Sequence, residues 1–357
     1  MFNSLPSILF TVRNIVYGSG QGLQSAPDPI MGSMIHPIQA RPNMSAFLLA
    51  ISGSSVNGSS DDCYHPDLPN TARGQKDFPG ERLSGSHGVI TGATDGIGKA
   101  YAKALAKKGI NVILVSRTLS KLEDVAKEIE TESKVQTKII AVDFTSGPSI
   151  YDEIRKQTAG LEIGILVNNV GISYPNPEYF LNIQEQDKLI ENLINCNIFS
   201  VTRMCQLFMP GMVERRKGVV INISSLSAII AAPLLTVYAA SKAFMDKFSD
   251  DLATEYAKHG IIVQSILPGP VATNMSKIRR STWMACSPKT FASNALNTLG
   301  IARHSTGYYP HALFQLGIDF LAMISPSVSR KLTLKTMENI RARAIKKAAG
   351  PQKQDTK

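Results

Sequence analysis

The stretch TGATDGIGKAYAKALAKKG, Thr91 to Gly109, decides how the rest of this chain is read. Its three glycines, Gly92, Gly96 and Gly98, stand where a short apolar run, GVIT, hands over to an alanine-rich helical run. At such a junction the first glycine permits a tight turn, the second lets backbone approach a phosphate, and the third allows close packing of the helix. Exposed N–H groups at the helix start then attract a pyrophosphate, with Thr94, Asp95 and Ile97 beside the glycines. The spacing is GxxxGxG rather than GxGxxG, so the turn needs its context to count.

That context follows. Downstream come NVILVS, a helix from Leu119, KIIAVD, a helix near 149–158, GILVNN, a long helix near 185–216, GVVINIS, a helix near 238–258 and IIVQSIL. Six or so β-branched runs alternating with helical ones predict an α/β fold with a doubly wound parallel sheet, its ligands at the carboxyl ends of the strands.

About 20 positions past the turn, a dinucleotide site places the residue that grips the adenosine ribose. Here that residue is Arg117, in LVSRT, and no acid is present. A guanidinium pairs with a 2′-phosphate where a carboxylate would grip a free hydroxyl, so NADP(H) is expected over NAD(H). Asp143, ending AVDF, is placed either to meet the adenine or to cap a turn. Further on, VYAASKAF sets Tyr238 and Lys242 four apart on a helix, hence on one face. An ammonium beside a phenol favours the phenolate, and such a pair could protonate an alkoxide formed at a carbonyl. Ser225, at the end of NISS, could polarise the same carbonyl.

Together these elements resemble the short-chain dehydrogenase/reductase family over about Val89 to Gly269, with NNVG at 168–171, Asn197 in NIFS and PGPVAT at 268–273 as further matches. The resemblance implies Tyr238 as the general acid in reduction, Lys242 on the nicotinamide ribose, Ser225 and Tyr238 on the substrate, and Asn197 fixing a helix and a water. It also implies Asn168, Gly171, Val271 and Thr273 along the cofactor. LFMPGMVERRKGVVINISS, LLTVYAASKAF and GYYPHAL are similar to the branch of very-long-chain 3-oxoacyl-CoA reductases, also called type 12 17β-hydroxysteroid dehydrogenases. That implies NADPH-dependent reduction of a 3-oxoacyl-CoA at the endoplasmic reticulum membrane. A 17-ketosteroid is the alternative substrate, a catalytically idle scaffold the alternative role, and a homodimer through the helices near 185–216 and 238–258 the expected assembly.

The 357 residues divide on this reading into an atypical or disordered segment 1–86, a catalytic domain 87–310, and an apolar helix with a basic tail, 311–357. The first segment, rich in Gly, Ser and Pro, has no counterpart in the resembled branch, whose members begin with a membrane-spanning segment. An altered first exon or gene-model error is the expected cause. The net charge of +10 is uneven, for residues 328–357 hold nine Lys/Arg against two Asp/Glu. Nothing points to nucleic acid, since this excess sits in one tail without interleaved aromatics. HALFQLGIDFLAMI, 311–324, carries Asp319 and is short for a span; it reads as an interfacial element or as a helix over the substrate site. The closing QKQDTK matches no lysine-based retrieval signal. Cys63, Cys196, Cys205 and Cys286 form no CxxC and the histidines no HxxxH, so neither disulfide framework nor metal site is expected. Cys196 and Cys205, nine apart, should occupy opposite faces of one helix. Between Asn274 and Tyr309 a lid over the substrate is expected, with Met275, Trp283, Met284 and Phe291 as apolar contacts or plain packing.

Overall fold

The computed structural model describes Leu83 and residues 85–348. The expectations for the amino-terminal segment up to residue 82, for Cys63 and for QKQDTK lie outside the described residues.

Seven parallel strands form one sheet: β1 (His87–Thr91), β2 (Asn111–Ser116), β3 (Thr137–Ala141), β4 (Ile163–Asn168), β5 (Gly218–Ile223), β6 (Ile261–Ile266) and β7 (His304–Ser305). Their order is β3-β2-β1-β4-β5-β6-β7. Every residue of β4 and of β5 is buried, which is why they read as continuous apolar runs rather than alternating ones.

Helices cover both faces. On one lie α1 (Gly96–Ala106) and α2 (Leu119–Ser133); on the other lie α3 (Ser149–Thr158), then α4 (Gln186–Leu193) and α5 (Ser200–Glu214), and α6 (Thr236–Tyr256). A later helix, α7 (Pro288–Asn297), returns to the α1 face. Successive strand residues point to opposite sides, so Ile90 packs beneath α1 while its neighbour Val89 packs beneath α3 and α5. The described residues end with α8 (Tyr309–Ile324) and α9 (Pro326–Ala348).

Two features depart from the sequence pattern. β7 is two residues, His304 and Ser305, with no apolar signal to announce it. It adds to β6 because His304 is gripped by α6: its Nδ1 lies 2.8 Å from Asp246 and its Nε2 3.0 Å from Asp250. The long helix read at 185–216 is broken by a π-helical turn, Ile194–Phe199, between α4 and α5. That turn retards the 100° phase by taking more residues per rotation. Cys196 and Cys205 consequently fall in one buried apolar layer instead of on opposite faces. Both thiols are free, and burial pushes each up to about 12, so they are inert packing groups.

The strand order reverses between β1 and β4, which opens a cleft at their carboxyl ends. Thr91, the last residue of β1, holds the two strands together there. Its hydroxyl oxygen accepts from the Asn169 N–H at 3.0 Å and the Val170 N–H at 2.9 Å.

Candidate active site

The cleft has a volume of about 440 Å³. One end is the glycine turn. Gly92 has φ +65°, and a Cβ there would stand 2.9 Å from Asn169 Nδ2. The same amide nitrogen donates to the carbonyls of Thr91 at 3.0 Å and Gly92 at 3.2 Å, pinning the turn. Gly98 faces the turn itself, for a Cβ there would meet the Gly92 oxygen at 2.3 Å. Gly96, at φ +54°, lies against Thr273, whose Cγ2 would be 3.1 Å from an added Cβ. Thr94 shares a hydrogen bond of 3.0 Å with Ser116 at the end of β2.

The start of α1 is open. Its N-cap, Asp95, makes no side-chain cap bond and no acidic residue occupies the first turn. The Asp95 carboxylate instead accepts from Asn274 Nδ2 at 2.7 Å. First-turn N–H groups of a helix lack intrahelical partners, so this end is built to meet an anion. Ile97 lines the cleft beside it. Arg117 reaches the cleft 67% exposed, with its Nη1 4.0 Å from Asp143. Asp143 does cap a turn: its Oδ1 accepts from the Thr145 N–H at 2.9 Å and hydroxyl at 2.8 Å, while its other oxygen faces Arg117.

The opposite end holds Ser225, Tyr238 and Lys242. β5 stops at Ile223, and Ser225 begins a short turn, its oxygen accepting from the Ser227 N–H at 3.2 Å and hydroxyl at 2.9 Å. Tyr238 and Lys242 lie one turn apart on α6, with the Lys242 Nζ 5.9 Å from the Tyr238 ring centre. Lys242 is 4% exposed, and its ammonium donates to the Ile223 carbonyl at 2.9 Å. Burial pulls it down to about 8. Burial also pushes the Tyr238 phenol up, opposed by a hydrogen bond from Ser225. This reverses the sequence expectation, in which the neighbouring ammonium lowers Tyr238: desolvation is the larger influence, and the opposing one comes from Ser225.

Asn197 lies fully buried in the π turn. Its Oδ1 accepts from the Ile172 N–H at 2.9 Å, and its Nδ2 donates to the Ile172 carbonyl at 3.0 Å and to Ser241 Oγ at 2.9 Å. It thereby ties α4, α5 and α6 to the segment after β4. Gly171 sits in that segment, where a Cβ would come within 3.3 Å of both Asn197 Oδ1 and Lys242 Nζ. Val271 and Thr273 line the cleft from the loop after β6.

Asn168 departs from expectation. It is 2% exposed, its Nδ2 donating to Asn222 Oδ1 at 2.9 Å, and it does not line the cleft. As the last residue of β4 it points across the sheet into the buried layer, whereas Asn169, one residue on, lies at the turn. A single step along a strand changes the face, and the NN pair in the sequence carries no sign of which is which.

Other residues that position the site gave no signal. Tyr174 Oη accepts from the Val237 N–H at 3.1 Å and caps the start of α6 beside Tyr238. His311 on α8 is fully buried; its Nδ1 accepts from the Gly269 N–H at 3.1 Å and its Nε2 donates to the carbonyls of Pro270 and Met284, each at 3.0 Å. It clamps the loop after β6 to the lid. Of the lid residues, Met275 lines the cleft and Trp283 is 64% exposed, whereas Phe291 is core, packed under α1 and beside the His311 ring. Lys277 bridges the lid to the segment after β4, donating to the Pro175 carbonyl and, at 2.9 Å, to Asn176 Oδ1.

A parallel sheet with an open helix start at its switch point and a Ser–Tyr–Lys trio facing it defines a dinucleotide-dependent oxidoreductase. The family model described as short chain dehydrogenase matches residues 87–283, and the chain belongs to that family. The very-long-chain 3-oxoacyl-CoA reductase of Anas platyrhynchos is 50% identical over 263 residues, 74% of this chain and 83% of its own. The Homo sapiens protein of the same name is 48% identical with the same coverage. Among solved structures, a 7β-hydroxysteroid dehydrogenase is similar at TM-score 0.64 and 25% identity, covering 71% of this chain and 98% of its own. A short-chain dehydrogenase from Sphingobium yanoikuyae in complex with NADPH is similar at TM-score 0.57 and 26% identity, covering 67% and 95%.

Proposed function

We propose that this chain reduces the 3-oxo group of long-chain and very-long-chain acyl-CoA thioesters with NADPH, giving 3-hydroxyacyl-CoA for fatty-acid elongation. The observation that carries the reading is the Ser225–Tyr238–Lys242 trio at one end of a cleft whose other end is an uncapped helix start. The names of the relatives, 48–50% identical over 74% of this chain, supply the substrate class.

The cleft fits NADPH. The turn at Gly92, Gly96 and Gly98 has no room for side chains, and the first N–H groups of α1 would hold the pyrophosphate. Arg117 would meet the 2′-phosphate and Asp143 the adenine, while Gly171, Val271, Thr273 and Lys242 would hold the nicotinamide half. The bound cofactor supplies the hydride. Tyr238 then gives its phenolic proton to the substrate oxygen, and Ser225 orients that oxygen. A phenol kept protonated by burial suits a proton donor in reduction. Lys242 stands by to restrain the phenolate that remains, and Asn197 holds Ser241, Ile172 and the α6 backbone in register with it.

Membrane attachment belongs to the same reading. Among the described residues no helix is long and apolar enough to cross a membrane. The corner between α8 and α9 presents Phe320, Met323, Ile324 and Leu332, 56–72% exposed, with Arg330 and Lys331 beside them. An apolar corner with basic flanks supports contact with a lipid surface, and the endoplasmic reticulum is the membrane that the relatives' class implies. A homodimer would use the helical runs that carry Phe199, 43% exposed, and Phe244, 39% exposed.

The test is NADPH oxidation by detergent-solubilised full-length protein on a long-chain 3-oxoacyl-CoA, with Tyr238→Phe as control. Oxidation that the variant lacks, with NADPH affinity kept, is the expected result. Turnover of a 17-ketosteroid and none of the thioester would replace the substrate, and absence of NADPH binding would replace the enzyme with a scaffold.

A further inference from the structure

The cleft continues past the phosphate turn. A second cavity of about 470 Å³ adjoins it, sharing Asp95, Gly96 and Thr273. Its remaining wall brings three cations together from distant parts of the sequence: Lys277 and Arg279 from the lid, and Lys347 from the last turn of α9. The one carboxylate present, Asp95, is engaged by Asn274 at 2.7 Å. Arg279 and Lys347 are exposed and form no ion pair with the described residues. Lys277 spends two of its three donors on Pro175 and Asn176, which fixes the ammonium at the rim and leaves one proton over.

Three converging cations repel one another and raise the local concentration of an anion. A multiply charged phosphate ligand is the chemistry that suits them. Two such ligands come to this enzyme under the function proposed above, on which this inference rests: the cofactor, and the 3′-phospho-adenosine diphosphate end of an acyl-CoA. The cofactor's phosphates already have the α1 start and Arg117 in the first cavity. The second substrate carries its phosphates at the far end of a long flexible arm and needs a separate seat close to the reacting cleft. We propose that the cavity lined by Lys277, Arg279 and Lys347 is the seat of the CoA phosphates, with the acyl arm entering the main cleft past Thr273. The lid cation and the α9 cation would then close on the nucleotide together.

The experiment uses Arg279→Gln, Lys347→Gln and the double variant of the full-length protein, all at exposed positions that touch none of the catalytic trio. KM and kcat are measured for a long-chain 3-oxoacyl-CoA and for the same acyl group on pantetheine, which lacks the nucleotide, and NADPH affinity is measured by fluorescence. The double variant should raise KM for the CoA thioester by about tenfold, as expected for loss of charged hydrogen bonds, with kcat kept. KM for the pantetheine thioester and the affinity for NADPH should stay within twofold. An equal shift on both thioesters, or no shift on either, overturns the seat; weakened NADPH with unshifted CoA assigns the phosphates to the cofactor instead. Wild-type protein that reduces neither thioester refutes the acyl-CoA reading itself and this inference with it.

Discussion

Lys242→Met tests the physical basis of the site more sharply than activity alone. Lys242 is 4% exposed, and its environment brings it from 10.5 down to about 8. That gap amounts to about 3 kcal/mol held against the charged folded form at neutral pH. The unfolded chain binds more protons at this residue than the folded chain does between about pH 8 and 10.5, so the wild-type stability rises with pH across that window. Methionine fills similar volume and titrates nothing. Subtracting the variant's unfolding free energy from that of the wild type cancels the distant groups, whose contributions are shared. The difference should move toward the wild type by about 2 kcal/mol between pH 7 and pH 10. Urea unfolding followed by far-ultraviolet circular dichroism at four pH values measures it. Parallel profiles, or a difference that falls with pH, would refute the claim that the lysine is buried at a cost. The same variant should lose nearly all turnover, because under the proposed mechanism Lys242 restrains the tyrosinate and holds the nicotinamide ribose.

Two further outcomes follow from packing and charge. Gly98→Ala sets a Cβ 2.3 Å from the Gly92 oxygen and 2.4 Å from Asn169 Nδ2, so the turn must shift; NADPH affinity measured by fluorescence should fall by about tenfold or more, a loss of over about 1 kcal/mol. His304, held above its ordinary value of 6.5 by Asp246 first and Asp250 second, stabilises the β7 edge fully below pH 6.5, and that contribution fades as pH rises through the raised value. Thermal unfolding of His304→Gln should therefore trail the wild type by more at pH 6 than at pH 9; an equal deficit at both would sink the assignment.

Much of this protein was legible from residues 91–109 outward. Strands β1 to β6 announce themselves because their cores are short runs of mostly β-branched and aliphatic residues, packed beneath helices on the two sheet faces. The glycine turn, Arg117, Tyr238 and Lys242 are legible because each answers a local demand: a positive φ, a fixed distance along βαβ, one helical turn. β7 was not legible, since a strand two residues long is held by His304 on aspartates more than fifty positions away. Nor was the π turn that places Asn197 and brings Cys196 and Cys205 into one layer.

What sequence alone determined is strands β1 to β6, the glycine turn between β1 and α1, and the placing of Ser225 after β5 with Tyr238 and Lys242 one turn apart on a helix, all of which depend on spacing within a few turns or strands. Tertiary structure decided which of Asn168 and Asn169 meets the cleft, that Ser225 rather than Lys242 opposes the raised phenol of Tyr238, and that Lys277, Arg279 and Lys347 share a wall. These depend on burial and on contacts between segments far apart in the chain, and neither desolvation nor a long-range meeting of charges has a local signature in the order of residues.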